Sequence, residues 1–337
     1  MQMMNENEIA LGVDIGGTNT SIGVVDRFGT CAFKSSFATS GHQNVEEFLK
    51  RLTASIDKVS RKLPRGTKLC GIGVAAPAAR HREGIVKNPA NLHWGTVNLV
   101  EILRRKYSLP TAITNDSNAA ALGELRYGAG KDLRNFVVLT LGTGLGAGVV
   151  ADGRLLYGHN DMAGELGHII LEAGGRLCGC SRRGCAETYV SASGLRRTAF
   201  DLLVQDNDES IMRSISFNEL TSKRIYELAA DGDVVALKAF AMTGDYLGRL
   251  LANTVAAFDP EAIILSGGLA EAGELLLKPT RRSFEENVLG LHRGTVEIIR
   301  SSLANGEAGI LGASSLVFGD AMQTVQTAVP NRLVTQL

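Results

Sequence analysis

The 337-residue sequence has little of several features that mark specialised classes of protein. No apolar run reaches the roughly 18 residues of a membrane-spanning helix, and no charged leader followed by an apolar core opens the sequence. Because 35 basic residues are balanced by 35 acidic ones, the broad positive field of a nucleic-acid-binding protein is missing. Five cysteines, an odd number, argue against a disulfide framework. We therefore expect a cytoplasmic protein that binds neither membrane nor nucleic acid.

What is present is an ordinary globular composition, 45% hydrophobic and 21% charged, with enough length for two domains. Short apolar runs at Ile9–Asp14 and Ser21–Asp26 flank a glycine-rich turn and predict a β-hairpin. The same pattern returns at Phe136–Leu141 and Ala147–Ala151. This repeat of architecture predicts two similar α/β domains.

Other elements follow from periodicity. Apolar residues at steps of three and four predict a helix over 45–63, and residues 195–258 are expected to be mainly helical. Strands are predicted at 70–76, 111–114 and 261–266, with helices after the last two. We place the boundary near Asp116: residues 1–116 with about 306–330 form a small α/β domain, and 117–305 form a large one that contains a metal-binding loop.

Three glycine-rich turns, at 16–19, 142–146 and 267–268, could bind phosphate through backbone N–H groups. Each alone is more often a simple hairpin turn. The middle turn fits the dinucleotide pattern G-x-G-x-x-A, but a strand follows it where that fold needs a helix. A Walker A loop is also missing, since Asp132 follows Gly130-Lys131. The turns together indicate a nucleotide held between two hairpins and a Gly-Gly turn at a helix start.

This combination resembles the superfamily of sugar kinases, heat-shock ATPases and actin, whose two ribonuclease-H-like domains bind ATP in the cleft between them. The resemblance implies ATP and Mg²⁺ as cofactors, with Asp14 near the metal; the alternative for Asp14 is a carboxylate that caps the turn. The residues it implies in nucleotide binding are Asp14, Gly16, Gly17, Thr18, Asn19, Thr143, Gly144, Gly267 and Gly268.

Asp116 lies between a predicted strand end and a predicted helix start. Catalytic groups of α/β sheets occupy this position, but so do helix N-caps, and spacing alone does not separate the two. The run from Asn115 to Glu124 is similar to the catalytic segment of ROK sugar kinases. That resemblance implies that Asp116 is the base accepting the hydroxyl proton, with Asn115 beside it at the sugar.

One histidine and three cysteines are spaced as His168-x9-Cys178-x-Cys180-x4-Cys185. An imidazole and three thiolates are the ligands of a closed, tetrahedral structural zinc site. A redox C-x-x-C reading fails because one and four residues separate the thiols. The remaining alternative is three unrelated thiols near a histidine.

The same segment matches the ROK consensus, and the resemblance covers roughly residues 9–318. It implies that Glu165 and Glu187 hydrogen-bond sugar hydroxyls, that His168 contacts both zinc and sugar, and that Asn91 belongs to an earlier sugar-contacting loop. Three departures are visible: Ser181 and Ala78 replace common glycines, and His93-Trp94 is one residue shorter than the usual Pro-Gly-Trp.

The resemblance implies an ATP-dependent hexose kinase, first of all one that phosphorylates the 6-hydroxyl of glucose, and a homodimer or tetramer. N-acetylglucosamine, N-acetylmannosamine, mannose, allose and fructose are alternative substrates. A sugar-responsive ROK repressor is the alternative from another class. Such repressors carry a DNA-reading domain of roughly 70 to 80 residues before the first phosphate motif, whereas eight residues precede Ile9.

Overall fold

A computed structural model describes residues 8–39, 44–63, 67–89, 92, 94–205, 207–304 and 306–318. The chain divides into two compact units, Met1–Tyr127 with Glu307–Leu337 and Gly128–Gly306. Among the described helices, none combines the length and the apolar character needed to cross a bilayer.

The elements run in the following order along the chain. Up to Tyr127 they are β1 Glu8–Ile15, β2 Asn19–Asp26, β3 Cys31–Ala38, α1 Val45–Ser60, β4 Lys68–Ala75, β5 Ala79–Arg80, β6 Ile85–Lys87, β7 Thr96–Val97, α2 Leu99–Tyr107, β8 Thr111–Thr114 and α3 Asp116–Tyr127. Beyond it they are β9 Phe136–Leu141, β10 Leu145–Ala151, β11 Arg154–Leu155, α4 Ala192–Gln205, α5 Ser222–Ala230, α6 Val234–Phe258, β12 Ala262–Ser266, α7 Glu274–Asn287, β13 Glu297–Arg300 and α8 Ala308–Ser315.

The first unit is built on a five-stranded sheet in the order β3-β2-β1-β4-β8. Strands β1 and β2 form the predicted antiparallel hairpin, whereas β4 and β8 run parallel to β1. In register, Asp14 lies opposite Ala75, and Ala75 lies opposite Thr114. Because parallel strands end at the same sheet edge, Asp14 and the start of α3 come together there.

Helix α8 packs on this sheet at very short range. A Cβ atom on Gly12 would lie 2.2 Å from the Ile310 carbonyl oxygen, and one on Gly73 would lie 1.7 Å from that of Ala313. Helix α3 approaches α8 as closely, since a Cβ on Gly312 would lie 1.6 Å from the Ala119 oxygen. Only glycine permits such backbone contacts.

The packing of α3 on α8 bears on the boundary between the units. The sequence predicts a boundary near Asp116, which would assign α3 to the second domain. In the structure α3 belongs to the first unit, and the division falls between Tyr127 and Gly128. The side chains of α3 that are buried include small residues, which suit close helix packing.

The second unit repeats the plan of the first, with the sheet order β11-β10-β9-β12-β13. Strands β9 and β10 form an antiparallel hairpin, and β12 and β13 run parallel to β9. The predicted repeat of strand–turn–strand units is therefore confirmed. Helices α4 to α7 contribute to the core with these strands, and α6 packs closely on α7 through Gly244 and Gly248.

Candidate active site and metal centre

The residues of the predicted metal site come together in the second unit. One ligand atom from each of His168, Cys178, Cys180 and Cys185 lies within 4.8 Å of all the others. The Sγ atoms of Cys180 and Cys185 are 3.6 Å apart, and Cys178 Sγ is 3.7 Å from His168 Nδ1. Zinc–sulfur bonds of about 2.3 Å in a tetrahedron give sulfur–sulfur edges of about 3.8 Å. The donor set and its spacing therefore fit a four-coordinate zinc ion.

A tight turn brings the first two cysteines onto one side of the loop. The backbone N–H of Cys178 donates to the Arg182 carbonyl oxygen (2.9 Å), and that of Ser181 donates to the Cys178 oxygen (3.0 Å). Ser181 has a φ of 70°, in the left-handed region that favours glycine. Serine replaces the common glycine at the position where the turn demands this conformation.

The three thiols differ in their electrostatic surroundings. Cys178 and Cys185 are buried, and desolvation raises the pKa of the Cys178 thiol to about 12. Cys180 is exposed, and hydrogen bonds from the backbone and side chain of Arg182 lower its pKa to about 6. The guanidinium of Arg182 also donates to the His168 carbonyl oxygen (2.7 Å). Arg182 thus ties two ligands of the cluster together and offsets thiolate charge.

The two ring nitrogens of His168 have different neighbours. Nδ1 is the nitrogen near Cys178 Sγ, whereas Nε2 lies 4.0 Å from a carboxylate oxygen of Glu165. The Glu165 side chain is 55% exposed and can therefore reach a ligand. One imidazole can accordingly bind a metal through Nδ1 and face a polar ligand through Nε2.

Glu187 lies two residues after Cys185 and contacts a different element. Its Oε2 accepts a hydrogen bond from the Leu145 backbone N–H (3.0 Å), and its Oε1 lies 3.8 Å from Cys178 Sγ. Leu145 opens β10, directly after the turn that contains Thr143 and Gly144. The carboxylate therefore bridges the glycine-rich turn and the segment His168–Cys185, which carries the candidate metal ligands and is called the metal loop below.

Arg176 holds the metal loop against the rest of the second unit, a role that sequence reasoning missed. Its side chain donates to the Thr188 oxygen (2.9 Å), to Thr198 Oγ1 (2.9 Å) and to Asp201 Oδ2 (2.6 Å), and it lies 4.7 Å from the Tyr189 ring centroid. A single arginine in a loop has no spacing pattern that would have indicated these contacts.

The third glycine-rich turn follows β12. Gly267 has a φ of 92°, and a Cβ there would lie 2.7 Å from the Leu141 carbonyl oxygen. The Leu269 N–H donates to that same oxygen (3.0 Å). Gly267 is therefore required for the turn to approach the end of β9, whereas a Cβ on Gly268 would have no atom of the described residues within 4 Å.

Two neighbouring carboxylates lie at the sheet edge of the first unit. Burial, and then the charge of Asp116, raise the pKa of Asp14 from 3.8 to about 6. Burial also raises the pKa of Asp116, and hydrogen bonds from Ser117 oppose part of that rise. A carboxylate with a raised pKa is a better proton acceptor near neutral pH.

Asn115 makes most of the N-cap hydrogen bonds at the start of α3, a role that the sequence also allows for Asp116. Its Oδ1 accepts from the backbone N–H groups of Ser117 (2.9 Å) and Asn118 (3.4 Å) at the start of α3. Asp116 makes one such contact, from Ser117 N–H to its Oδ1 (2.9 Å). Because Asn115 caps the helix, the Asp116 carboxylate is not required as the N-cap.

The first turn is closed by a hydrogen bond from Gly16 N–H to the Asn19 oxygen (2.9 Å). Gly16 and Gly17 are partly buried, whereas Thr18 and Asn19 are exposed. Asn91, implied by the family resemblance at the sugar, lies outside the described residues.

Known proteins share this architecture over nearly the whole chain. A crystal structure of a ROK family glucokinase from Streptomyces griseus, in complex with glucose and AMPPNP, matches with a TM-score of 0.79 and 33% identity, over 92% of this chain and 99% of that one. The repeated unit with a glycine-rich turn in each hairpin is thus the actin-like ATPase fold.

Sequence comparison gives the family. The family model of the ROK family matches residues 10–319. Glucokinases from Halalkalibacterium halodurans and Thermotoga maritima are each 34% identical to this chain over 91% of its length, and the match covers 94% and 96% of their own lengths. This chain belongs to the ROK family.

Proposed function

We propose that this protein is an ATP-dependent hexose kinase, a glucokinase that transfers the γ-phosphoryl group of ATP to the 6-hydroxyl of glucose. The observation that carries the proposal is the arrangement at His168, whose ring faces a thiol through one nitrogen and the exposed Glu165 carboxylate through the other. Two relatives that match over 91% of the chain are glucokinases.

In the proposed site, Glu165, His168 and Glu187 bind hexose hydroxyls. Carboxylates accept hydrogen bonds from hydroxyl groups, and the Nε2 of His168 can take part once Nδ1 is engaged by the metal. His168, Cys178, Cys180 and Cys185 would supply all four ligands of a structural zinc ion. The role of such an ion would be structural, since these four residues would hold it so that the His168 imidazole and the loop are fixed in place.

Asp116 is the proposed base. Its carboxylate, whose pKa is raised by desolvation, accepts the proton of the attacking hydroxyl, and Asn115 lies beside it at the helix start. Asp14 would hold Mg²⁺, since carboxylate oxygens are the ligands this ion prefers and two neighbouring carboxylates favour a nearby cation. Bound Mg²⁺ supplies neutralisation of the phosphate charge.

Backbone N–H groups of the three glycine-rich turns would contact the nucleotide. Gly16, Gly17, Thr18 and Asn19 form the first phosphate turn, and Thr143 and Gly144 the second. Gly267 and Gly268 form the turn at the adenosine. At Gly268 a Cβ would meet no atom of the described residues within 4 Å, so the backbone there is open to a ligand, which supports the assignment.

The deciding experiment measures ADP release with glucose, mannose, fructose, allose, N-acetylglucosamine and N-acetylmannosamine. We expect the highest kcat/KM on glucose. Higher efficiency on N-acetylglucosamine would replace glucose by an acetylated hexosamine, and no turnover on any of the six sugars would contradict the kinase.

Asp116→Asn tests the base. Loss of general base catalysis should lower kcat by about 10² to 10⁴-fold with a smaller effect on the KM for glucose. The exposed Asp132→Asn is the matched control and should retain wild-type kcat. Full activity in Asp116→Asn would contradict the assignment.

We also propose that the two compact units are the protein's two domains and that the chain assembles as a homodimer, as the family resemblance implies. Light scattering coupled to gel filtration measures the assembly directly. A monomer mass at micromolar concentration would contradict the dimer.

A further inference from the structure

Three hydrogen bonds fasten the second phosphate turn to the segment that follows the metal loop. They run from Ala192 N–H to the Gly142 oxygen (2.9 Å), from Ser193 Oγ to the Thr143 oxygen (2.6 Å) and from Leu145 N–H to Glu187 Oε2 (3.0 Å). Gly142, Thr143 and Leu145, at the turn and its exit, are thus held by the segment 187–193. We call this segment the brace.

The brace is itself internally fixed. Ser191 is fully buried, and its hydroxyl donates to the Glu187 carbonyl oxygen (2.7 Å) and accepts from the Gly194 N–H (2.9 Å). Arg176 donates to the carbonyl oxygen of Thr188 (2.9 Å). Because these contacts hold the brace rigid, a displacement at one end is transmitted to the other end.

The closest approach is between the Glu187 carboxylate and Gly144. A Cβ atom on Gly144 would lie 2.4 Å from Glu187 Oε2, so a side chain there requires the carboxylate to move. Gly142, two residues earlier in the same turn, is different: a Cβ there would meet no atom of the described residues within 4 Å. Neither glycine has a φ in the left-handed region, so alanine causes no left-handed backbone strain at either position and the two substitutions differ in the space around the new methyl group.

We propose that Glu187 and Ser193 are positioning residues for the phosphate turn, so that one carboxylate serves both substrates. Glu187 binds the hexose and also fixes the backbone that binds the nucleotide phosphates. This inference rests on the proposed function. Coupling between two ligands is reciprocal in free energy. Displacing the Glu187 carboxylate from the turn is therefore expected to alter hexose affinity, and releasing the turn at Thr143 is expected to alter nucleotide affinity.

Gly144→Ala tests the coupling in one direction. Glucose is titrated calorimetrically into the zinc-loaded protein in the absence of nucleotide, so direct contacts of the new methyl group with ATP cannot contribute. Displacing the carboxylate costs a hydrogen bond to a charged group, and the Kd for glucose should rise roughly tenfold or more. Gly142→Ala, the same substitution in the same turn, should leave the Kd within twofold of wild type.

Ser193→Ala tests the other direction with AMPPNP in the absence of glucose. Loss of the hydrogen bond to Thr143 should raise the Kd for AMPPNP about three- to tenfold, with the Kd for glucose unchanged. In steady-state kinetics the KM for ATP should rise while the KM for glucose does not. Ser214→Ala is the control, because its hydroxyl donates to the Ile211 oxygen (2.8 Å) elsewhere in the same unit.

The outcomes separate the inference from the function beneath it. If wild type phosphorylates glucose but Gly144→Ala binds glucose normally and Ser193→Ala binds AMPPNP normally, the coupling is overturned and the kinase stands. If both variants weaken both ligands equally and lose zinc, the brace is only a folding element and the inference is again overturned. A wild-type protein that binds neither glucose nor AMPPNP overturns both.

Discussion

Replacing Asp14 by asparagine should make the first unit more stable while removing the group proposed to hold Mg²⁺. The Asp14 carboxylate is partly buried beside Asp116, and its pKa is raised from 3.8 to about 6, chiefly by burial. A raised carboxylate pKa means that ionising the carboxylate costs more free energy in the folded state than in the unfolded state. Asparagine keeps the shape of the protonated group and carries no charge, so that cost disappears.

The change in the free energy of unfolding depends on pH because Asp14 binds its proton more tightly in the folded state than in the unfolded state. Between pH 4 and 6 the folded state binds more protons at Asp14 than the unfolded state, so this group lowers stability as the pH rises through that window. The shift of about 2 pKa units corresponds to at most about 3 kcal/mol, fully developed above the folded-state pKa. We therefore expect Asp14→Asn to be more stable than wild type at pH 7.5, with little difference at pH 4.

The sequence contains a single tryptophan, which makes the measurement specific to the first unit. Trp94 is buried, and its ring centroid lies 4.3 Å from that of Phe48 in the first unit's core. Its fluorescence follows urea unfolding of this unit in Mg²⁺-free, nucleotide-free buffer at pH 7.5, 5.5 and 4. The exposed Glu83→Gln removes the same charge from a surface turn and should show no pH-dependent gain.

Two results would refute this reasoning. An Asp14→Asn variant no more stable than wild type at pH 7.5 would show that the carboxylate is not held at a cost. A gain of equal size at pH 4 and pH 7.5 would show that the effect is steric and not electrostatic.

Three further predictions concern the metal loop and helix α8. Cys180→Ala should lose about one zinc ion per chain, measured by mass spectrometry, and should lose thermal stability with it. The control Cys31→Ala should keep both. A folded, zinc-loaded Cys180→Ala would show the ligand set to be wrong. Ser181→Gly should raise the free energy of unfolding of the zinc-loaded protein by about 0.5 to 1 kcal/mol, because serine is held at a φ of 70°, and a decrease in urea titrations would contradict it. Gly309→Ala places a methyl group 2.4 Å from Asp14 Oδ2, so the KM for Mg-ATP should rise about tenfold or more with glucose binding unchanged; normal kinetics would contradict it.

Much of the fold was accessible from local pattern. The β9 strand was predicted to the residue, and the β1–β2 hairpin and α1 to within a few residues, because each has strong apolar periodicity bounded by turn residues. Strand β3 was not predicted. It is an edge strand with mostly exposed side chains and the sequence CAFKSSFA, so it lacks the apolar alternation on which such predictions depend.

In the candidate site, too, residues with a local sequence pattern were predicted and residues without one were missed. The cluster of one histidine and three cysteines was predicted because the spacing of these residues within one loop reflects their distance in space. Ser193 and Arg176 were missed because they act through contacts with carbonyl oxygens distant in sequence, which leave no periodic trace. Ala78 and Ser181 were noted only as departures from common glycines. The structure gives both a positive φ, at 53° and 70°, which explains why glycine suits these positions.

The dependence of the first unit on helix α8 also has a consequence for protein synthesis. The sheet around β1 and β4 is translated before the second unit, whereas the helix whose backbone contacts Gly12 and Gly73 is translated after it. At roughly 5 to 20 residues per second, the intervening Gly128–Gly306 takes about 10 to 40 s to synthesise. The inserted second unit is thus complete before the first can close, so the nascent chain must keep an unfinished apolar sheet face from aggregating, and α8 is the segment whose truncation would leave that face open.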